Sequence, residues 1–316
     1  MKLYTSPPRG VALIIALLVV ALATVLIAGL LDRGELAMAR TRNQSRETQA
    51  QSYALGLEAY AAKVLMQDPN TIDSADSPWA VPLPPTPVPG GTIAATMSDL
   101  GGRFNLNNLD PKYDTPQQAW QHKFERLLDV LKLDRKLAKD VAAWMDATTP
   151  SATVASDGFY LGQPVPYRAA GRPFVHVSEL RLIRGVNGDV YAALAPYVAA
   201  LPAGTKINVN TASVPVLMTL DDTVTAEIAQ AIWQQGHARY QQLQEIGKEQ
   251  PQLVQVLRNP QVALLYDVHS AYFLARGEIT LDSVPFEYAS LIERRIGGNA
   301  GAGGGVRVLQ RSRGSD

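Results

Sequence analysis

The sequence lacks several features of catalytic and disulfide-rich proteins. Its 316 residues contain no cysteine, which excludes a disulfide framework and a thiolate metal site. Its 29 basic and 29 acidic residues cancel, so we expect no wholesale binding to nucleic acid or to an anionic membrane. The four histidines are far apart, and no HExxH, GxSxG or phosphate-binding loop occurs. The sequence therefore predicts a protein that is not an enzyme.

Near the N-terminus, a long stretch of the chain lacks proline, and a shorter run within it also lacks charge. No proline occurs between Pro8 and Pro69, and residues 11–31 form an apolar run without a charged side chain. A helix of about 21 residues spans the ~30 Å core of a bilayer. Lys2 and Arg9 precede the run with no acid beside them, which predicts a single span with a cytoplasmic N-terminus.

A cleaved secretory signal is the alternative interpretation of this run, with Ala37-Met38-Ala39 as the cleavage site. The run is longer than the usual signal core of about 7–15 residues. Helical periodicity also continues beyond it, because Tyr53, Leu57 and Val64 recur on one face. We therefore predict one helix over residues 11–66, on the order of 80 Å long, with its last turns packed on a globular domain.

The remainder of the chain is predicted to form strands, then helices, and then strands again. Residues 68–91 are rich in proline and predict an extended loop. The predicted strands cover residues 92–97, 103–107, 269–279, 285–294 and 305–311. The predicted helices cover residues 116–131, 134–145, 178–183, 187–200, 211–220, 223–235 and 239–258. This order indicates an α+β fold, in which the long first helix packs on an antiparallel sheet that carries a large inserted all-α subdomain.

The N-terminal segment carries a resemblance to a known family. A short basic leader ending at Gly10, followed by an apolar helix that becomes amphipathic, resembles the type IV pilins and pseudopilins. The resemblance implies cleavage by a prepilin peptidase between Gly10 and Val11, and N-methylation of Val11. Most members carry Glu at the fifth mature position, where this chain has Ile15. That departure is typical of the minor pseudopilin K of type II secretion systems.

Further runs along the chain are similar to the same K subfamily. They are Asp99-Leu100-Gly101-Gly102-Arg103-Phe104-Asn105-Leu106-Asn107-Asn108-Leu109, Pro166-Tyr167-Arg168-Ala169-Ala170, Ser178-Glu179-Leu180-Arg181-Leu182 and Ile207-Asn208-Val209-Asn210-Thr211-Ala212. The resemblance implies a pilin-like fold, an inner-membrane anchor with a periplasmic domain, and a tip position with minor pseudopilins I and J above the pseudopilus core subunits. It divides the chain into a leader (1–10), a transmembrane part (11–31), a periplasmic helix (32–67), a first pilin-like part (68–109), an inserted α-helical domain (110–265) and C-terminal pilin-like strands (266–316).

The resemblance also suggests a calcium site in the helical domain. Asp146 and Asp157 match family positions that carry carboxylates, which are the oxygen ligands that calcium prefers. Thr148 and Ser156 stand where the family usually has acids. We therefore expect a degenerate site at Asp146 and Asp157 that binds calcium weakly or not at all.

Two further patterns allow other interpretations. Residues 206–217 resemble the opening of a helix-hairpin-helix unit, and a membrane-tethered DNA-binding protein is the competing function. The hairpin at residues 220–224 carries Asp221 and Asp222 and no glycine, and these carboxylates would repel phosphate. The other pattern is a C-terminal group of arginines, predicted to be a solvated edge strand: Arg294, Arg295, Arg307, Arg311 and Arg313.

Overall fold

One uninterrupted helix dominates the N-terminal part of the computed structural model, which describes residues 9–68, 72–113, 116–146, 158–295 and 305–314. The first helix, α1, runs from Arg9 to Gln67 and is 59 residues long, which corresponds to about 90 Å. This confirms the predicted single helix. It continues because its interior contains no proline.

The second half of α1 packs on one antiparallel sheet of five strands in the order β1-β2-β7-β8-β9. The strands are β1 (Leu83–Val88), β2 (Gly91–Asp99), β7 (Tyr272–Leu281), β8 (Val284–Arg295) and β9 (Gly305–Arg313). A two-residue turn joins β7 to β8, and Asp282 and Ser283 both have positive φ there, at 46° and 68°. Such turns match the twist of the flanking strands, which sets the register of this hairpin.

The prediction of an extended loop over residues 68–91 is wrong in one part. Strand β1 lies inside that stretch although it contains Pro84, Pro85 and Pro87. Proline has no backbone N–H to donate, so it is tolerated only on an edge strand or at a bulge. Strand β1 has both features, because it is the outer strand of the sheet and its register shifts between Leu83 and Thr86.

A block of short helices connects β2 to β7, as predicted. Its helices are α2 (Gln117–Val130), α3 (Leu137–Met145), α4 (158–161), α5 (Gly188–Leu194), α6 (Val214–Leu217), α7 (Ala226–Trp233), α8 (Ile246–Glu249), α9 (Val254–Arg258) and α10 (Pro260–Leu265). Two parallel strand pairs cross the block, β3 (Phe104–Asn105) with β4 (Val198–Ala199) and β5 (Ile207–Asn208) with β6 (Tyr266–Asp267).

Several predicted elements of the block are shorter in the structure. The strand predicted over 103–107 ends at Asn105 and becomes a 3₁₀ turn, Leu106–Leu109. The helix predicted over 187–200 ends at Leu194, and the next residues form a 3₁₀ turn and strand β4. The 211–220 and 223–235 helices shrink to α6 and α7.

The block has one continuous apolar core among the described residues. In sequence, the residues of this core begin at Ile72 and Phe104 and end at Val268. The Phe104 ring stacks on Phe124 with centroids 5.0 Å apart and meets Trp120 edge-on at 5.6 Å. This core draws side chains from both sides of the predicted 110–265 limits, and those limits stay a prediction.

The helical block sits at the end of the sheet far from the apolar half of α1. Gln49 and Tyr53 donate hydrogen bonds to the carbonyl of Pro89, at the turn that begins β2. Asp68, just past the C-terminal end of α1, pairs with Arg294 near the end of β8. Because β2 leads into the block at that second end, the block lies beyond the C-terminal end of α1.

Candidate functional site

The first half of α1 presents an unpartnered apolar surface. Residues 10–45 are exposed in the structure, and the span they contain has a mean hydropathy of 3.2 with none of that window buried. Val11 is 50% exposed and Ile15 is 55% exposed. Such a surface has to be covered by lipid or by other apolar helices. Among the described residues, α1 is the one helix long and apolar enough to cross a membrane, which is consistent with the expected anchor.

The second half of α1 docks on the sheet through a stripe at helical spacing. Ala50, Leu57, Ala61 and Leu65 are buried against β7, β8 and their neighbours. Close approach depends on Gly277 of β7, since a Cβ atom there would lie 2.9 Å from Leu57 Cδ1. The sequence predicted this amphipathic face from Leu57 and Val64.

Charged pairs around that stripe fasten α1 to the sheet. Arg311 donates two 2.8 Å hydrogen bonds to Glu58, which also accepts one of 2.8 Å from Ser290. The Arg311 hydrogen bond is the main reason why the pKa of Glu58 is held below its ordinary value. Arg46 pairs with Asp282 at 2.8 Å, and Arg313 pairs with Glu47. We call these pairs the helix latch: Arg46–Asp282, Glu47–Arg313 and Glu58–Arg311.

A buried polar cluster joins α1, the sheet and the helical block. Arg294 is 3% exposed and bonds Asp68 at 3.0 Å, Asp73 and the Ser270 carbonyl. Asp73 in turn accepts from the Trp79 indole at 3.0 Å and from the Ser270 amide at 2.7 Å. We call Arg294, Asp68 and Asp73 the junction triad. The prediction of a solvated arginine is wrong for Arg294, because the end of α1 and the block cover this end of β8.

The remaining arginines of that C-terminal group are exposed, as expected. Arg295 and Arg307 both pair with Glu293, at 3.2 and 3.3 Å. Arg311 and Arg313 take part in the helix latch. Strand β9 is therefore an outer strand lined by charge, which disfavours uncontrolled pairing with other strands.

Asp99 extends the junction into the helical block. Its carboxylate accepts hydrogen bonds from the Gly101 amide at 2.6 Å, the Ser270 hydroxyl at 2.6 Å, the Asn208 amide at 3.0 Å and the Thr211 hydroxyl. Burial raises the pKa of Asp99, although the hydrogen bonds from Ser270, Thr211 and Gly101 work in the opposite direction. The cluster therefore positions β5 and the loop after it against the start of β7.

The asparagines of the family-like runs act as backbone clamps. Asn107 accepts from the Phe174 amide at 2.7 Å and donates to the carbonyls of Phe174 and Leu201 at 3.0 and 2.8 Å. Asn210 exchanges two hydrogen bonds with Tyr240, at 2.8 and 3.0 Å. These side chains replace the partners that loop backbone would otherwise find in water. The runs that resemble the K subfamily are thus parts of the block's architecture.

The predicted calcium site is only partly within the described residues. Asp146 follows the last turn of α3 and is buried. Asp157, Thr148 and Ser156 lie outside the described residues. Within the described ranges, no group of three or more His, Cys, Asp or Glu side chains could hold a metal ion. The calcium site stays a prediction, and no step of the function depends on it.

The helix-hairpin-helix resemblance leads to a hairpin whose amides are already used. The Thr223 amide donates to the Asp221 carboxylate at 3.0 Å, and the Val224 amide donates to the Asp221 carbonyl at 3.0 Å. Lys123 of α2 donates to the Leu220 carbonyl at 2.9 Å. Phosphate binding to such a hairpin would need free amides, so this geometry does not favour the DNA-binding alternative.

Sequence reasoning missed the junction triad. The sequence placed Asp68 and Asp73 only within the extended loop predicted over residues 68–91, and it placed Arg294 among the arginines of a solvated edge strand. The available signal was the strand period, because Arg294 shares the face of Ile292, which points toward α1. A basic residue at a core-facing position predicts a buried acid nearby.

Comparison with known proteins gives a consistent picture. A family model described as type II secretion system protein K matches residues 102–203. The type II secretion system protein K of Pseudomonas aeruginosa is 35% identical over 321 residues, which cover 97% of this chain and 93% of that protein. The protein K of Pectobacterium carotovorum is 30% identical and covers 98% of this chain and 97% of its own length.

A solved structure shares the fold. A chain in the crystal structure of the GspK–GspI–GspJ complex from the type 2 secretion system of enterotoxigenic Escherichia coli superposes with a TM-score of 0.72 at 27% identity. The match covers 88% of this chain and 100% of that chain.

Proposed function

Since the chain belongs to the type II secretion system protein K family and is a minor pseudopilin, we propose that it occupies the tip of the secretion pseudopilus, where it starts or caps assembly. Its partners in this role are the minor pseudopilins I and J of the same system, with the pseudopilus core subunits beneath them. The enterotoxigenic E. coli neighbour was crystallised with GspI and GspJ, which supports this choice of partners. The role is assembly and supports export of folded proteins across the outer membrane.

The observation that carries the proposal is the position of the helical block. The block lies beyond the C-terminal end of α1 and is joined there by the junction triad. A subunit stacking above this one would have to place its own α1 and sheet where the block already is. The bulky block therefore leaves only the side of the subunit that carries the exposed half of α1 open for assembly. This suits a terminal subunit.

The start of α1 supports the same role. A carboxylate at the fifth mature position would be costly in lipid unless a partner met it. Ile15 is apolar and exposed, so the chain has no such charge to satisfy by adding beneath another subunit. We infer that a prepilin peptidase cleaves between Gly10 and Val11, and that the new amino group of Val11 is methylated.

The anchor sets the location. Residues 11–31 span the inner membrane with the N-terminus in the cytoplasm, and the sheet and helical block lie in the periplasm. After extraction from the membrane, the exposed apolar half of α1 packs into a bundle with the first helices of other pseudopilins. This replaces lipid contacts by helix contacts and leaves the block at the filament end.

Labelling of overproduced pseudopili tests the tip position. The chain carries an epitope after Gly314 and is expressed with I, J and the core subunits in a strain that lacks the native protein. We expect gold label at one end of each filament and co-purification of the chain with I and J from detergent. Label spaced along the shaft, or an untagged complex of I and J that excludes the chain, would overturn the proposal.

Mass spectrometry tests the processing site separately. We expect the mature chain to begin at Val11 with one added methyl group. Gly10→Val should leave the leader attached and abolish secretion, whereas Gly34→Val, in the same helix, should leave cleavage intact. Both glycines have open space around them in the structure, so neither change disturbs packing.

A further inference from the structure

A groove of about 160 Å³ opens on the sheet face opposite α1, where the helical block overhangs the strands. In β7, Phe273 and Gly277 face α1, so the alternate residues Leu274 and Arg276 face the other way. The sheet side of the groove is formed by Leu274, Ala289 and Leu291, and the block side by Val175 and Tyr191. The walls of this outer groove are thus mostly apolar.

Arg103 gives the outer groove its charge. Its side chain lines the groove and is half-buried, and burial lowers the pKa of its guanidinium, as does the neighbouring charge of Arg276. Within the described part of the chain, the Arg103 guanidinium makes no hydrogen bond or ion pair. Asp99 acts on this guanidinium only through space, and the Asp99 oxygens already accept from Gly101, Ser270, Asn208 and Thr211.

A partly buried arginine without an ion-pair partner favours the binding of an anion. Desolvation of a guanidinium is costly unless it is paired. Two like charges near each other add to that cost, even though Arg276 has contacts of its own. A carboxylate would accept paired hydrogen bonds from the guanidinium fork and would be strengthened by the low-dielectric walls.

We propose that the outer groove binds a Glu or Asp side chain on an extended segment of a partner protein. Apolar side chains flanking that carboxylate would pack on Leu274 and Leu291, and the carboxylate would pair with Arg103. The groove faces away from α1. On the tip assignment above, on which this inference rests, α1 points into the filament bundle, so the segment belongs to a protein outside the bundle.

A peptide titration tests the chemistry of the groove. Because the chain has no cysteine, Val175→Cys at the exposed rim accepts a single environment-sensitive dye on the full-length protein in detergent. The probes are the blocked peptides acetyl-Leu-Glu-Leu-amide and acetyl-Leu-Gln-Leu-amide. We expect the Glu peptide to bind at least about tenfold more tightly, with a preference that falls as salt is raised. Equal affinities for the two peptides would overturn the proposal.

Substitutions of Arg103 assign the preference to that residue. Arg103→Gln should abolish the difference between the peptides, and Arg103→Lys should keep part of it. Arg295→Gln, which removes an exposed arginine of β8 away from the groove, should leave the preference intact. Circular dichroism and melting of each variant show whether the block remains folded. A folded Arg103→Gln protein that still prefers the Glu peptide contradicts the assignment.

Photo-crosslinking in cells tests the location of the partner. A photoreactive residue replaces Gln310, which lines the groove from β9. We expect an adduct with a protein outside the filament that Arg103→Gln removes, while co-purification with I and J is unchanged. An adduct with I, J or a second copy of this chain would overturn the outward placement. Loss of I and J from the wild-type complex would instead refute the tip assignment, so the two failures are distinguishable.

Discussion

The helical block and the helix–sheet unit are stabilised in different ways. The block has one continuous apolar core and fixes its loops with buried asparagine amides. The helix–sheet unit has small apolar clusters of four or five buried residues among the described residues, and the helix latch surrounds them. The core of the block therefore contains no residue of α1, whereas the sheet depends on α1 to complete its core.

This difference suits a terminal subunit. In the proposed tip role, the helix α1 of the helix–sheet unit leaves the membrane and enters a bundle, which requires that its exposed half is not committed to the subunit's own core. The block has no such movement and can be rigid and bulky. The junction triad is the place where the rigid part is fixed to the part that assembles, and its failure would separate them.

Arg294→Met should have the largest effect, because it leaves Asp68 and Asp73 buried without their cation. Removing one partner of a buried ion pair costs about 3–5 kcal/mol. Urea unfolding of the full-length chain in detergent measures the loss. Arg295→Met is the control, since Arg295 is exposed and should change the free energy of unfolding by less than about 0.5 kcal/mol. Similar values for the two variants would mean that the triad does not hold the two parts together.

Asn107→Ala tests whether the block depends on its amide clamps. The change leaves the backbone of Phe174 and the carbonyl of Leu201 without partners in a buried place. We expect a loss of about 2–4 kcal/mol, since each unsatisfied buried group costs roughly 1–3 kcal/mol. Hydrogen exchange should show that the Phe174 amide loses protection. Asn187→Ala removes one exposed cap of α5 and should cost about 1 kcal/mol without affecting that amide.

Gly102→Ala tests the close contact between the start of the block and the loop that follows β5. A Cβ atom at Gly102 would lie 2.6 Å from the Thr211 carbonyl oxygen, which is backbone and cannot rotate away. We expect a loss of about 1–3 kcal/mol by overpacking. Gly188→Ala in α5 meets open space and should be neutral or slightly stabilising. Equal tolerance of both changes would show that the junction can shift at little cost.

Local patterns predicted the elements that depend on local physics. The length of α1 follows from the absence of proline and the apolar run, and the block follows from helix caps and apolar spacing. The pairing of Arg294 with Asp68 and Asp73 could not be predicted, because these residues are more than 200 positions apart along the chain. Strand β1 was missed because its prolines suit a strand only at a sheet edge, and strand order is not a local property.

The resemblance to the K subfamily identified positions but not their roles. The asparagines of the run at residues 105–108 are clamps to loops that come about 70 to 100 residues later. Spacing within the run carries no information about those partners. The processing site at Gly10 and Val11 stays a prediction, and it was drawn from local sequence because those residues and Ile15 all lie in α1.

Glu58→Gln should have the smallest effect and a distinct pH dependence. The Arg311 hydrogen bond lowers the pKa of Glu58 below its ordinary value of 4.5, so the folded state favours the ionised form. This contribution is fully present above that ordinary value and is lost as the pH falls through the folded pKa. The wild type should therefore lose stability from about pH 5 downward more steeply than the variant. Glu287→Gln, on the exposed opposite face of β8, should keep the wild-type slope. If both variants have the wild-type slope, the charge of Glu58 does not contribute to holding α1 on the sheet.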